Sequence, residues 1–309
     1  MTEAPPSAPR FSVMMNVYNG EAYLRAAIDS VLAQTFQDWE LVIWDDRSTD
    51  GSVALCASYS DPRIRLFVAE ANTGLGAARN GAMAATRGEW VAFLDQDDIW
   101  TPDKLAGQDA LIRADRGGRL GLLYGRTQRF DDSGPIGPFD LWYGTGTLPE
   151  GDIMDALLAK PSFIANSSAV FKRSVLLPLL PMPASVRFCT DYFLCVMIVR
   201  DHTVACLQTL CCHYRVHANS MTQVFRREVH EEILLIMEMA ARPSQRHILR
   251  VRRRVHETWI GVAEFRGGKR RQGIMRIIRR GSFAYLALRP LVRGLRRLRD
   301  RVGGTMRPA

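Results

Sequence analysis

A chain of 309 residues with 47% hydrophobic content and a mean hydropathy of -0.09 has the make-up of a soluble globular protein able to bury a large core. No apolar run approaches the roughly 20 residues that span a bilayer, and the polar start Met1 to Arg10 lacks a signal-peptide core and reads as a disordered lead-in. The net charge of +9 divides unevenly, with +15 on residues 225–309 and −6 on residues 1–224, a mildly acidic body carrying a strongly basic tail. The six cysteines lack C-x-x-C spacing, which gives no disulfide framework and no zinc ribbon. Cys206, Cys211 and Cys212 read as buried thiols in strand-like sequence, and a reducing cytoplasm suits them.

Strands and helices alternate from the start. Phe11 to Val17 reads as a strand, and Leu24, Ala27, Ile28, Val31 and Leu32 follow at helical spacing. Glu40 to Trp44 is a second strand ending at Asp45-Asp46, with turn and capping chemistry at Ser48 to Gly51 and a short helix through Cys56. Ile64 to Val68 is a third strand, the small-residue stretch Leu75 to Thr86 a helix packed closely under the sheet, and Trp90 to Leu94 a fourth strand. Thr101-Pro102-Asp103 opens the next helix. This rhythm predicts an α/β fold with a mostly parallel central sheet flanked by helices, and ligands at the carboxyl ends of the strands.

After about Leu123 the rhythm breaks. Phe130 to Glu150 reads as a long loop, Asp152 to Ala159 and Asp191 to Arg200 as helices, and Ser168 to Phe171, Val204 to Leu207 and Leu210 to Val216 as strands. From about Val224 helices dominate. Leu286, Leu291, Leu295 and Leu298 against Arg289, Arg293, Arg296, Arg297 and Arg299 make a basic amphipathic stretch.

The fourth strand delivers Asp95-Gln96-Asp97-Asp98 to its end. In an extended backbone alternate side chains share a face, so Asp95 and Asp97 would reach one object. Carboxylates that close repel unless a cation offsets them. Oxygen-only ligands suit Mg²⁺ or Mn²⁺, held by one or two carboxylates together with nucleotide phosphates.

Four segments stand together: Val13 to Asn19, Trp44-Asp45-Asp46-Arg47-Ser48-Thr49-Asp50, Ala77-Ala78-Arg79-Asn80-Gly81 and Phe93-Leu94-Asp95-Gln96-Asp97-Asp98. In order and spacing they resemble the family 2 inverting glycosyltransferases, which use the nucleotide-sugar-binding GT-A fold. The resemblance is strong over about Phe11 to Leu111 and looser at Thr190-Asp191 and Tyr214 to Ser220. It implies that Asp46 accepts the N3–H of a pyrimidine base and Tyr18 lies against the base face. Asp97 would ligate the divalent cation at the diphosphate, with Asp95 on the ribose or donor sugar or assisting at the metal. Arg79 would reach phosphate or serve as an ion-pair partner. Asp191 is the implied base that deprotonates the acceptor hydroxyl, in a Thr190-Asp191 pair where the family usually carries Glu-Asp. Asp98 has no assigned role, and His217 is placed near the diphosphate or in a structural role.

The resemblance further implies a UDP-, dTDP- or GDP-sugar donor, a glycan or lipid-linked acceptor and a place in bacterial cell-surface polysaccharide synthesis. It divides the chain into a nucleotide-sugar half at 11–123, an acceptor-side half at 124–223 and a basic helical extension at 224–309. That extension reads either as a surface for the anionic inner face of the cell membrane or as a solvated, self-associating or partly disordered tail, and the expected location is cytoplasmic or peripheral to the membrane. No nucleic-acid partner is expected, since no RNA module is present. Two rivals are weighed. A sugar-phosphate nucleotidyltransferase would want a Gly-rich basic loop after the first strand, where the chain has Tyr18-Asn19-Gly20-Glu21. A catalytically inactive nucleotide- or membrane-binding module has no need of the acidic cluster. Gly74-Leu75-Gly76 begins like a dinucleotide fingerprint but follows the third strand rather than the first.

Overall fold

The computed structural model describes residues 8–137, 146–160, 163–218, 220 and 226–280. Two compact units result, Met1–His217 and Ala218–Ala309.

In the first unit the strands are β1 Phe11–Val17, β2 Trp39–Asp45, β3 Ile64–Val68, β4 Trp90–Phe93, β5 Ile99–Trp100, β6 Leu120–Asp131, β7 Gly134–Pro135, β8 Val170–Lys172 and β9 Thr203–Arg215. The helices are α1 Glu21–Leu32, α2 Ser52–Ala57, α3 Leu75–Ala85, α4 Lys104–Ala114, α5 Met154–Ala159, α6 Arg173–Leu176 and α7 Thr190–Val199. Among the described residues these strands form one nine-stranded sheet in the order β3-β2-β1-β4-β8-β6-β9-β5, with β7 on β6.

The first four strands are parallel, as the alternating pattern predicts. Both faces of β1, β2 and β4 are covered, so their sequences are predominantly apolar runs rather than alternating ones. Phe11, Val13, Met15 and Val17 pack with Leu24, Ala27, Ile28 and Val31 of α1 in the main core. Helix α3 lies against β1 and β2. A Cβ at its Gly81 would come within 2.5 Å of the Trp44 ring, so the small residues do permit a close approach.

The second half makes the sheet mixed. Strand β8 runs antiparallel to β4 and β6, while β6 is parallel to β9. Strand β6 was not foreseen: its Arg126, Thr127 and Gln128 are polar yet buried, and they mask the continuity that Leu120 to Tyr124 begins. The two short strands expected at 204–207 and 210–216 are one strand, β9, whose pairing with β6 shifts register between Gly125 and Thr127. Residues 138–145 of the expected long loop and the Leu286 to Arg299 amphipathic stretch lie outside the described residues.

The second unit contains α8 Arg226–Ala240, α9 Arg246–Arg266 and α10 Arg270–Arg279. Helices α9 and α10 touch backbone to backbone: a Cβ on Gly273 would sit 2.3 Å from the Gly261 carbonyl oxygen. Arg276 of α10 fixes the crossing by donating to Glu257 at 2.6 Å and to Glu264 at 3.1 Å. Among the described residues no helix is long and apolar enough to cross a membrane.

At the amino end of the sheet, a buried polar knot ties β1, β2 and the entry to β4. The Ser12 hydroxyl donates to Glu40 at 2.6 Å and accepts from the Gly88 amide at 2.7 Å. Glu40 also accepts from Arg65 and Arg87. Burial works to raise the Glu40 carboxyl, but the bonds from Ser12, Arg87 and Arg65 together hold it below its ordinary value. A carboxyl depressed in the folded state contributes stability above its unfolded pKa and loses it as pH falls through the folded value. Glu40→Gln should therefore cost on the order of 3 kcal/mol at neutral pH. In urea titrations the gap from the parent should close as the pH is taken below about 4; a gap independent of pH contradicts this account.

Candidate active site

The carboxyl ends of β1, β2 and β4 meet at one edge of the first unit. After β4 the Leu94 amide donates to the Met14 carbonyl at 3.0 Å, and the chain then turns, closed by Asp98 N–H on the Asp95 carbonyl at 3.2 Å. The acidic run is thus a tight turn through Gln96 and Asp97 rather than the extended segment expected. Each carboxylate consequently meets a different set of partners.

Asp95 Oδ1 accepts from Asn166 Nδ2 at 2.7 Å and from Arg79 Nη2 at 3.1 Å, and its amide donates to Ser167 Oγ at 3.0 Å. Burial first, and then the charges of Asp97 and Asp191, push its carboxyl up to about 6 against the pull of Arg79. Asp97 presents Oδ2 to His217 Nε2 at 2.9 Å, with about a quarter of its side chain exposed. Asp98 is buried; it accepts the Ser167 hydroxyl at 2.5 Å and the Arg215 amide at 2.8 Å. Arg215 returns with a bond from Nε to the Asp97 carbonyl at 3.0 Å. Asp98 thereby acquires a structural explanation: it ties the end of β9, and with it His217, to the acidic turn.

Arg79 is 4% exposed and is spent on Asp95 and on the Thr190 hydroxyl, the ion-pair use of the two weighed from sequence. It joins β4 to the start of α7, where Asp191 occupies the first turn within electrostatic reach of Asp95. Thr190, standing where the resemblance leads one to expect Glu, accepts a hydrogen bond without adding a charge.

The ends of β1 and β2 lie alongside. Tyr18 is 48% exposed, its backbone clamped at both groups by the Gln96 amide, Oε1 on Tyr18 N–H at 2.9 Å and Nε2 on the Tyr18 carbonyl at 3.2 Å. Gly20 makes room for that clamp, since a Cβ there would lie 2.3 Å from Gln96 Oε1. Asp46 accepts from the Thr73 amide and hydroxyl and from the Gly74 amide, all within 3.1 Å, and is nearly buried. Gly74 adopts a φ of +81°, which turns its amide onto that carboxylate. Asn19 and Ser48 latch the two loops together.

The structure therefore gathers Asp95, Asp97, Asp191 and Arg79 into one cluster and sets Tyr18 and Asp46 on the neighbouring strand ends. Sequence reasoning missed Gln96, Asn166, Ser167 and Arg215. Asn166 and Ser167 sit in a 3-10 turn, Asn166–Ser168, far along the chain from the acidic turn they serve. Only the polar triplet itself could have marked them. Trp100 packs beneath this turn, with Nε1 donating to the Ser167 carbonyl at 2.6 Å. Cys206, Cys211 and Cys212 are buried free thiols, and the described residues contain no group of three or more His, Cys, Asp or Glu side chains placed to hold a metal.

Comparison with known proteins identifies the family. The profile of Glycosyl transferase family 2 matches residues 12–179, and the chain belongs to that family of glycosyltransferases. A UDP-Glc:alpha-D-GlcNAc-diphosphoundecaprenol beta-1,3-glucosyltransferase of Escherichia coli is 29% identical over 239 residues, covering 76% of this chain and 88% of its own. The putative glycosyltransferase EpsH of Bacillus subtilis is 27% identical, covering 75% of this chain and 68% of its own. Among solved structures, S. aureus TarS 1-349 in complex with UDP-GlcNAc aligns at TM-score 0.64 and 18% identity over 87% of this chain and 79% of its own. The mannosyltransferase PcManGT from Pyrobaculum calidifontis, in complex with GDP-Man and Mn2+, aligns at TM-score 0.60 and 18% identity over 95% and 83%. The fold is of the GT-A type.

Burial, followed by the charges of Asp97 and Asp95, holds the Asp98 carboxyl well above the usual carboxylate range. A carboxyl raised in the folded state contributes stability at low pH and loses it as pH climbs through the elevated value. Asp98→Asn keeps an acceptor for Arg215 N–H and removes that titration, so the variant should gain in melting temperature over the parent between pH 5 and pH 9. Asp98→Leu leaves the Arg215 amide unpaired and should cost about 2 kcal/mol. Parallel melting curves for parent and Asp98→Asn across that range would refute the assignment.

Proposed function

We propose that this glycosyltransferase transfers a sugar, with inversion at C1, from a UDP-, dTDP- or GDP-sugar to a hydroxyl of a glycan or lipid-linked acceptor in bacterial cell-surface polysaccharide synthesis. The observation that carries the reading is the convergence of Asp95, Asp97, His217 and Asp191 beside the strand ends that hold Asp46 and the exposed Tyr18. The Escherichia coli relative, by its name, takes UDP-Glc and a diphosphoundecaprenol-linked acceptor, which favours a uridine donor and a lipid-linked acceptor here.

Within this reading residues 11–123 bind the donor, and the rest of the first unit faces the acceptor. Tyr18 offers its exposed ring to the base. Asp46 holds Thr73 and Gly74; accepting a base N–H would replace one branch of the bifurcated bond it now takes from the Thr73 N–H. Asp95, oriented by Asn166 and Arg79, faces the ribose or donor sugar. Arg79 keeps Asp95 and α7 in register rather than touching phosphate itself.

A divalent cation, Mg²⁺ or Mn²⁺, fits the donor set. Asp97, with Asp95 assisting, would hold it, His217 lying 2.9 Å from Asp97, and phosphates and water would complete its shell. When bound, it would stabilise the negative charge of the departing diphosphate. Asp191 takes the proton from the acceptor hydroxyl as that oxygen bonds to C1, while the bond from C1 to the diphosphate breaks on the opposite face. The cytoplasmic face is the proposed setting, in keeping with six free thiols.

Asp191→Asn should lower kcat on the order of 10²- to 10⁴-fold with donor affinity unchanged. Asp97→Ala should instead abolish the rise in melting temperature that Mn²⁺ and UDP together give the parent. That rise should be small at pH 5 and grow as pH passes about 6, where Asp95 ionises. Proton NMR of the first-formed product fixes the anomeric outcome. Retention at C1, or an Asp97→Ala protein as active as the parent, would sink the proposal.

A further inference from the structure

Helix α10, Arg270–Arg279, has two faces of opposite use. Gly273 and Ile277 are buried and Arg276 is neutralised by Glu257 and Glu264 on the inner face. The outer face carries Ile274, Met275 and Ile278, exposed at 45%, 36% and 54%, with Arg271 between them and Arg270 and Arg279 at its margins. Phe265, 42% exposed at the end of α9, extends the apolar strip. Between Glu264 and Arg280 the sequence holds Arg266, Lys269, Arg270, Arg271, Arg276, Arg279 and Arg280 against Glu264 alone.

Exposed aliphatic side chains interleaved with exposed arginines need an occupant that is both apolar and anionic. The remaining residues of the chain, 281–309, are themselves strongly basic, so covering this face with them would place like charges together. The same face of a second copy would do the same. A nucleic acid would satisfy the arginines and leave Ile274 and Ile278 in water. An anionic bilayer surface satisfies both: aliphatic side chains enter the acyl boundary while arginines reach phosphate headgroups.

We propose that the outer face of α10, built on Ile274, Met275, Ile278, Arg271 and Arg279, is a docking surface for an anionic membrane. It is separate from the donor site and holds whether or not the acceptor is lipid-linked.

The test uses the full chain and sedimentation with vesicles of phosphatidylglycerol and phosphatidylethanolamine, against vesicles of phosphatidylcholine. Two variants are compared with the parent, Ile274→Ser with Ile278→Ser, and Arg271→Gln with Arg279→Gln. The parent should bind the anionic vesicles, lose binding as salt is raised, and ignore the neutral ones. Each variant should bind on the order of tenfold or more weakly. All positions being exposed, helicity and melting temperature should match the parent, and the shift given by Mn²⁺ and UDP should persist, which separates failure here from failure of the donor-site reading. Equal binding to neutral vesicles, parent-like binding by both variants, or a change of oligomeric state by light scattering would each overturn the proposal. If the serine variant proves misfolded, the arginine variant decides alone.

Discussion

Mutual repulsion among carboxylates at one sheet edge is the constraint around which the first unit is organised. Asp95, Asp97, Asp98 and Asp191 come together there, and burial raises the cost of every charge. The neighbouring structure offsets that cost by separate devices. Arg79 supplies a buried positive charge to Asp95, and Asn166 adds an uncharged donor to the same oxygen. Asp98 is given two donors, Ser167 and the Arg215 amide, in a setting that favours its neutral form. Asp97 keeps partial exposure, as Asp95 does, and has an imidazole for a neighbour. The turn thus differentiates chemically similar residues by their surroundings, leaving Asp95 and Asp97 partly exposed and Asp98 buried.

That differentiation depends on elements far apart in the chain. The 3-10 turn Asn166–Ser168 contacts the acidic turn on one side and, through the Ser167 carbonyl, the Trp100 indole on the other. The Ser168 carbonyl is held by Gln108, whose own oxygen receives the fully buried Lys104 ammonium at 2.7 Å. Helix α4 therefore braces the site from behind through a polar chain rather than through packing alone. Burial lowers the Lys104 pKa to about 8. Its seat over the Trp100 ring, 4.0 Å from the centroid, offers some compensation for lost hydration.

The parallel half of the fold was legible because its strands and helices announce themselves locally: predominantly apolar runs in β1, β2 and β4, interrupted in β1 and β2 by Ser12, Asn16 and Glu40, and helical spacing in α1. The acidic cluster was legible for the same reason, being contiguous in sequence. What escaped was anything set by long-range pairing. Strand β6 hides behind Arg126 to Gln128, which are polar in sequence but buried by their neighbours. The turn at Gln96–Asp97 overrode the extended geometry inferred for Asp95 and Asp97, because Asp98 N–H finds the Asp95 carbonyl instead of a strand partner. Arg79 shows the limit most plainly. Its presence near the site could be read from the sequence, but whether it faces phosphate or carboxylate depends on where α7 arrives, and no local pattern encodes that.

Thr190 bears on the electrostatics of the whole edge. A second carboxylate beside Asp191 would compete with Asp95 for the Arg79 guanidinium, which is buried and cannot serve both without leaving one charge poorly compensated. A hydroxyl takes the Arg79 hydrogen bond and leaves its charge to Asp95. The acidic edge therefore carries one negative charge fewer than a Glu-Asp pair would give it, and Arg79 is committed inward. In the proposed reaction, Arg79 would not meet the charge of a donor diphosphate at this edge while its guanidinium stays on Asp95. A divalent ion at Asp97 and Asp95 would offset part of that charge without asking Arg79 to release Asp95.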